Sequence, residues 1–329
     1  MIKHRVLALG AMVLLAAPLA RAQNCSGSTE AIDACRKTAE LVTFLSPQLA
    51  GALAGGNHTL GQGGATGGFP HFAIDVRATV ISGSLPKLDG VGFNVAGATG
   101  STFKAENQMI PGLVADASIG VWEGISLGVT HVGAVDALVS ATYLQNFNGG
   151  DVSAKLSGGG IKLGYGLRVG LLEESLLTPG VAVSYLTREL PTISITGNVQ
   201  ASGSKPGGTI AINDYSIKTS GWRLTASKNL LIFNVNAGIG QDKYDASANI
   251  ATTVVAPAPI GSKTSTGSSV VSMNRTNMFV GLSLNLLVAQ LVAEAGQSTG
   301  GSLTTLTNNF GSDPAKARPY FSAGVRVGF

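Results

Sequence analysis

Two cysteines, four histidines, 12% charged residues and 6% aromatics are all that a chain of 329 residues spends on those types. Two thiols with no histidine beside them do not make a four-ligand zinc centre. Past residue 22 no run of 18 or more apolar residues occurs, which excludes a spanning helix of about 20. What the chain has instead is 45 glycines and a mean hydropathy of +0.29. Its hydrophobicity is real but spread thin, as it is when only every second residue of many strands is apolar.

The one long apolar run, Val6 to Leu19, stands at the amino terminus. It follows Lys3, His4 and Arg5 and precedes Ala20-Arg21-Ala22. That is the order of a cleaved secretory signal peptide, with cleavage expected after Ala22, and at 14 residues the run is too short to span comfortably. Lipidation at Cys25 is the alternative, but Gln23-Asn24 before it do not form the small-residue box that lipidation requires. Removing residues 1–22 takes Lys3, Arg5 and Arg21 from the 22 basic residues and leaves 19 against 18 acidic. The pI of 9.1 therefore gives no support to nucleic-acid binding, which calls for a clustered basic patch.

Residues 23–68 read as an amino-terminal arm. Cys25 and Cys35 are expected to pair in an oxidising compartment. Ile32, Cys35, Ala39, Val42 and Leu45 recur at helical spacing, predicting a helix from about Thr29 to Leu45. Pro47 and the run Gly51, Gly55, Gly56, Gly61, Gly63, Gly64, Gly67 and Gly68 read as a linker. The spacing leaves open whether this helix docks under the rest of the chain, enters it as a plug, or binds a partner.

From Phe69 to Phe329 the period is two. Phe72, Ile74, Val76, Ala78 and Val80 oppose His71, Asp75, Arg77 and Thr79, and Ile161, Leu163, Tyr165, Leu167, Val169 and Leu171 oppose Lys162, Gly164, Gly166, Arg168 and Gly170. Strands are expected at 72–80, 113–121, 125–139, 161–171, 180–196, 208–226, 229–245, 270–286, 288–298 and 318–329. Short turns (122–124, 172–178, 227–229, 286–287) alternate with long connections (84–110, 141–157, 197–207, 246–269, 299–317). Ten strands follow, and twelve are the nearest rival because Val91, Phe93 and Val95 alternate inside one long connection.

The last strand alternates Phe321, Ala323, Val325, Val327 and Phe329 and ends on that aromatic. It resembles the closing strand of bacterial outer-membrane β-barrels, over roughly residues 69–329. The resemblance implies an all-β, antiparallel up-and-down barrel, with Phe329 as the signal read by the barrel-insertion machinery and outer-membrane lipid around the apolar faces. In such barrels short turns are periplasmic and long loops extracellular, so an even strand number puts both the arm and Phe329 in the periplasm.

Closing the sheet satisfies every backbone donor and acceptor, which is what admits strands to hydrocarbon. The opposite faces then line the lumen, contributing Asp75, Arg77, Asp116, Asp136, Lys162, Arg168, Arg188, Lys218, Asp242, Arg275, Glu294 and Arg326. With both signs in similar numbers, a polar lumen crossed by ion pairs is expected. Trp222 and Leu224 break the parity set by Tyr215 and Ile217, which predicts a bulge near Gly221. His131 and Glu189 fall on the lipid-facing side and predict a bulge or strand end near the interface.

No histidine stands in a recognisable catalytic motif. The best acid/base pair is His71 with Asp75, and inward strand polarity explains it equally well. No glycine cluster has the strand, lysine and helix of a phosphate loop. The chain is therefore expected to be no enzyme, without cofactor or metal. Two functions remain: a narrow pore or passage protein for small or apolar solutes, or a closed barrel that works through its long loops or its arm. The order of arm and barrel is similar to fatty-acid-transporter-type proteins, which are longer and have more strands.

Overall fold

The computed structural model describes residues 24–149, 152–301, 303 and 306–329. The expected signal peptide, residues 1–22, lies outside them. Ten strands close into a ring: β1 (Phe72–Pro86), β2 (Ala105–Trp122), β3 (Ala134–Tyr143), β4 (Ile161–Leu172), β5 (Gly180–Glu189), β6 (Gly207–Leu230), β7 (Phe233–Val255), β8 (Ser262–Asn285), β9 (Gln290–Thr299) and β10 (Arg318–Gly328). Each pairs antiparallel with its sequence neighbour. β10 returns to β1, with Phe321 opposite Val80 and Gly328 opposite Ala73. The count is ten, and the chain is an antiparallel barrel of the outer-membrane type. Val91 and Phe93, the seed of the twelve-strand rival, are instead buried in an apolar cluster.

The outer face is apolar on every strand. Ile74 and Val76 are each 50% exposed, and Leu163, Tyr165, Phe321 and Val280 show the same side. In water such a belt would be an aggregation surface. Around hydrocarbon it is matched, and β3, β5 and β9, at ten residues each, have the length that a tilted strand needs to cross. β6, β7 and β8 have 24, 23 and 24 residues. They exceed the ten-residue strands by roughly 40 Å of strand at ~3.3 Å per residue.

That tall wall corrects one expectation. The stretch 246–269 is no long loop, because β7 and β8 run on and only residues 256–261 connect them. Above the membrane a strand needs no apolar outer face, so Ser, Thr and Asn serve and the hydropathy signal fades. β2 likewise starts at Ala105. The hairpin turn expected at 227–229 falls at Leu231 and Ile232, where Leu231 takes φ 60°. The third strand begins at Ala134, not Ile125. Gly124, Gly128 and Gly133 all adopt positive φ, and residues 125–126 and 131–132 fold into a separate small ribbon.

The helix, α1 (Thr29–Ala54), is longer than its sequence suggested and continues through Pro47. Pro47 removes one donor, while Thr43, Ser46 and Gln48 bond their hydroxyls and amide to carbonyls four residues back, at 3.0, 2.7 and 3.0 Å. The wall and the long connections cover the helix, and most of α1 is buried. It enters the lumen, which answers the question that the spacing left open. Its direction overturns the expectation that the arm lies with Phe329. Residues Asn24–Gly27 add a strand to β8 at Ser265–Ser268, the long-connection end, and α1 descends from there toward the short turns. Phe72 and Phe329 exchange two backbone hydrogen bonds of 2.9 Å at the opposite end.

Candidate functional site

Residues 55–68 are the part of the arm that packs against the inner wall below the helix, and glycine lets them do so. Gly61, at φ 70°, would place a Cβ 2.7 Å from Ser283 Oγ, and Gly63 would place one 2.2 Å from Ser227 N. The glycines read as a loose linker are sites of close approach to the wall. Asn57, His58, Thr59 and Leu60 are buried.

Wall residues bind this segment along its length. Arg223 Nη2 and Nε donate to the carbonyls of Ala54 and Gly56 at 2.9 and 3.0 Å, a cation set against the helix C-terminus. Glu294 accepts from the backbone of Asn57 and Gly61 at 3.2 and 3.5 Å, and Asp75 from Leu60 at 3.3 Å. Arg77 donates to the Asn57 carbonyl. Arg168 holds Thr59 and Thr66 hydroxyls at 2.6 and 2.8 Å, and Asp136 accepts from Thr66 N at 3.0 Å. Arg326 donates to Gln62 Oε1 at 2.7 Å.

The same charges neutralise one another. Asp116 lies 3.0 Å from Arg77 and 2.8 Å from Arg188, Asp136 lies 2.7 Å from Arg168, and Asp242 lies 2.8 Å from Arg223. Asp116, Asp136 and Asp242 thus pair with Arg77, Arg168, Arg188 and Arg223, while Asp75, Glu294 and Arg326 bond the segment 55–68 instead. Burial of ions is tolerable only with such pairing and hydrogen bonding. His58, its Nδ1 2.9 Å from Ser184 Oγ, sits among Arg77, Arg168, Arg188 and Arg223.

Of the twelve residues expected in the lumen, two face inward but outside this network and a third lies elsewhere. Arg275 is buried but higher up, donating to Ser298, Pro314 and Lys316. Lys162 is half-buried and outside the network. Lys218 points outward and pairs with Glu189 at 3.3 Å. The parity of β6 explains that correction. No register shift occurs near Gly221; the irregularity lies between Asn213 and Ser216. Trp222 and Leu224 are the outward residues, while Tyr215 and Ile217 face inward onto α1. The interior at that height is itself apolar because a helix fills it, so apolar no longer means outward. Read from Trp222 and Leu224, the same alternation would have placed Arg223 inside. His71 bonds the Gly68 carbonyl at 3.2 Å while Asp75 bonds Leu60, so the two do not act as a pair. His131 lies 2.6 Å from Glu173 at the short-turn end.

The upper half of α1 gathers the long connections. Asp33 accepts from Asn94 N and Thr99 N at 2.8 and 2.9 Å, and Glu40 from Thr307 N and Asn308 N at 2.9 and 2.8 Å. Phe310 stacks between Phe44 and Phe103 at 4.9 and 4.7 Å. Burial holds the Lys37 ammonium below its usual range despite its contact with Asp33. Cys25 and Cys35 form a disulfide that ties the added strand to the helix. Beside α1, at the height where β3 ends, lies a cavity of about 330 Å³ lined mainly by apolar side chains.

No family model and no curated protein matches the chain. Solved structures similar to it include the outer membrane protease OmpT of Escherichia coli, at 12% identity and TM-score 0.36, covering 79% of this chain and 97% of that one. The beta domain of the Bordetella autotransporter BrkA has 12% identity and TM-score 0.32, covering 78% and 98%. The Pseudomonas putida toluene transporter TodX has 13% identity and TM-score 0.30, covering 78% and 88%.

Proposed function

We propose that the protein resides in the bacterial outer membrane, is closed to ions, and binds or passes small apolar solutes. One observation carries this reading: the charged lumen is occupied by residues 55–68, whose backbone and side chains take up its guanidiniums and carboxylates, while the open volume beside α1 is apolar. In this reading the short-turn end is periplasmic, lipid surrounds the outer face, and Phe329, exposed at the rim, is the residue the barrel-insertion machinery recognises. This reading assigns no catalytic role to the histidines: His58 and Ser184 bond each other but are both buried, and His71 bonds the Gly68 carbonyl.

Purified protein in a planar bilayer is expected to give no stable ion steps, and their appearance would contradict the closed lumen. Cells expressing it should accumulate a labelled small hydrophobic solute faster than cells without it; equal rates would remove the passage half of the reading. A second reading, a closed barrel whose surface cup is the working part, draws on the tall β6–β8 wall and on the connections fastened to Asp33 and Glu40. Under it solute accumulation is unchanged.

A further inference from the structure

The wall of the barrel is interrupted on one side. β2 pairs with β3 only from Leu113, opposite Tyr143, toward the short-turn end, and its residues 105–112 pair with β1 alone. Pro111, just past that point, has no N–H to offer a neighbour. On the other flank the chain leaving β5 bonds β6 last at Leu190, whose N–H donates to Ile217 at 2.9 Å. Pro191 then breaks the ladder, and pairing resumes at Ile193 opposite Tyr215. Two prolines and one short strand leave a notch.

The 330 Å³ cavity occupies this notch and passes through the wall. Its floor is α1 at Leu49 and Leu53, and its back is Tyr215 and Ile217, all turned inward. Its lip is Leu113 and Tyr143, 42% and 46% exposed on the lipid-facing side. The Tyr215 hydroxyl is already bonded to Ser46 at 2.8 Å, so the back presents ring carbon rather than a free donor. A water molecule needs two to four polar partners, and a lining that is mostly apolar offers few. The volume lies at the low end of the 300–1,000 Å³ typical of small-molecule sites.

We infer that this notch is a binding site for a small, predominantly apolar molecule that enters it from the surrounding hydrocarbon. The inference rests on the proposed function and gives it a location and a ligand class. The phase in contact with the lip is the source of the ligand, because Leu113 and Tyr143 stand on the apolar outward faces of their strands, which Met109 continues past the notch. The enclosed floor and back limit its size. The polar Thr142 and Gln145 stand near the mouth, where a single polar group of the ligand could bond.

The test uses full-length mature protein in lipid nanodiscs and an adamantyl diazirine as the photoreactive probe, with adducts mapped by mass spectrometry. Adducts are expected on Leu53, Tyr215 and Ile217, which the bilayer does not touch, as well as on the lipid-facing Leu163 and Tyr165. L53W should fill the floor and abolish the inner adducts while leaving the outer ones. A78W should do the same from the outer face at the mouth, where the fold is not at stake. Wild-type adducts confined to the outer face overturn the site, and so do inner adducts that survive both substitutions. If labelling stays outside while cells still accumulate hydrophobic solute, the site falls and the proposed function stands. If inner adducts form but accumulation is absent, the site stands and passage falls.

Discussion

Arg223 joins α1 to the wall at the last carbonyl of the helix: its Nη2 donates to Ala54 O at 2.9 Å, and its Nη1 lies 2.8 Å from Asp242 Oδ1. One fully buried side chain thus closes a helix terminus, the turn at Gly56 and an ion pair. R223M would strand the Asp242 carboxylate in the interior and expose carbonyls to no partner. Removing one member of a buried pair costs about 3–5 kcal/mol. The temperature at which the folded barrel loses its compact gel migration should fall clearly. The double variant R223M/D242N should recover part of that loss, because no unpaired charge remains. A single variant as heat-resistant as the wild type would show that the network contributes nothing.

The disulfide fastens the upper end of the arm. Cys25 sits on the strand added to β8, Cys35 on α1, and nine residues separate them. In the chain-entropy account a loop of this size contributes about 3 kcal/mol, all of it to the arm and none to the ring. C25S/C35S should therefore keep the barrel's gel shift while its arm becomes open to trypsin at Arg36 or Lys37. The wild type should resist. Equal cleavage of both proteins would show that the strand pairing at Ser265–Ser268 suffices without the bond.

Ten strands, their order and the lipid-facing side of most of them were legible in the sequence, because the membrane imposes a strict alternation on residues such as Ile161 to Leu171. The legibility ended where the solvent changed. Above the band, β7 and β8 continue on Ser, Thr and Asn, and the signal that marks a strand in hydrocarbon is lost. Inside, Tyr215 and Ile217 face a helix rather than water, so the rule that apolar means outward inverted there and sent Lys218 to the wrong side. The arm was misread for a related reason. Glycine suggests a flexible connection when neighbours are unknown, and only the positions of Ser227 and Ser283 show that Gly63 and Gly61 are small because the wall is close. Asp33 and Glu40 had no sequence signal at all, since their partners are backbone N–H groups 61 to 268 residues away.

The direction of α1 predicts which face of the membrane sees the arm. Asn24–Gly27 pair at the end of the barrel that carries the long connections, opposite the rim where Phe72 meets Phe329. An epitope placed between Ala22 and Gln23 of the precursor, retained after signal cleavage, should bind antibody on intact cells. An epitope placed in the short turn at Leu231 and Ile232 should bind only after permeabilisation. The reverse pattern would mean that the arm enters from the periplasm.

Gly63 tests whether the seal is a matter of fit. Its backbone can be adopted by any residue, since its φ is not positive, so the only obstacle to alanine is space: the new methyl carbon would stand 2.2 Å from Ser227 N and from Ala226 C, both backbone atoms of β6. Backbone within a paired strand cannot move aside as a long side chain can. The segment must withdraw instead, which breaks the Thr225 hydroxyl bond to the Gly63 carbonyl at 2.9 Å and loosens Gln62 from Arg326. G63A should leave the ring folded and open a water path past the displaced segment, seen as ion steps in a planar bilayer where the wild type gives none. Gly90, where an added Cβ would meet nothing within 4 Å, is the control, although its φ of 74° favours glycine; G90A should strain only its loop and leave conductance absent. Silence from G63A, with the ring intact, would mean that the lumen is sealed by the helix above rather than by the glycine-rich segment.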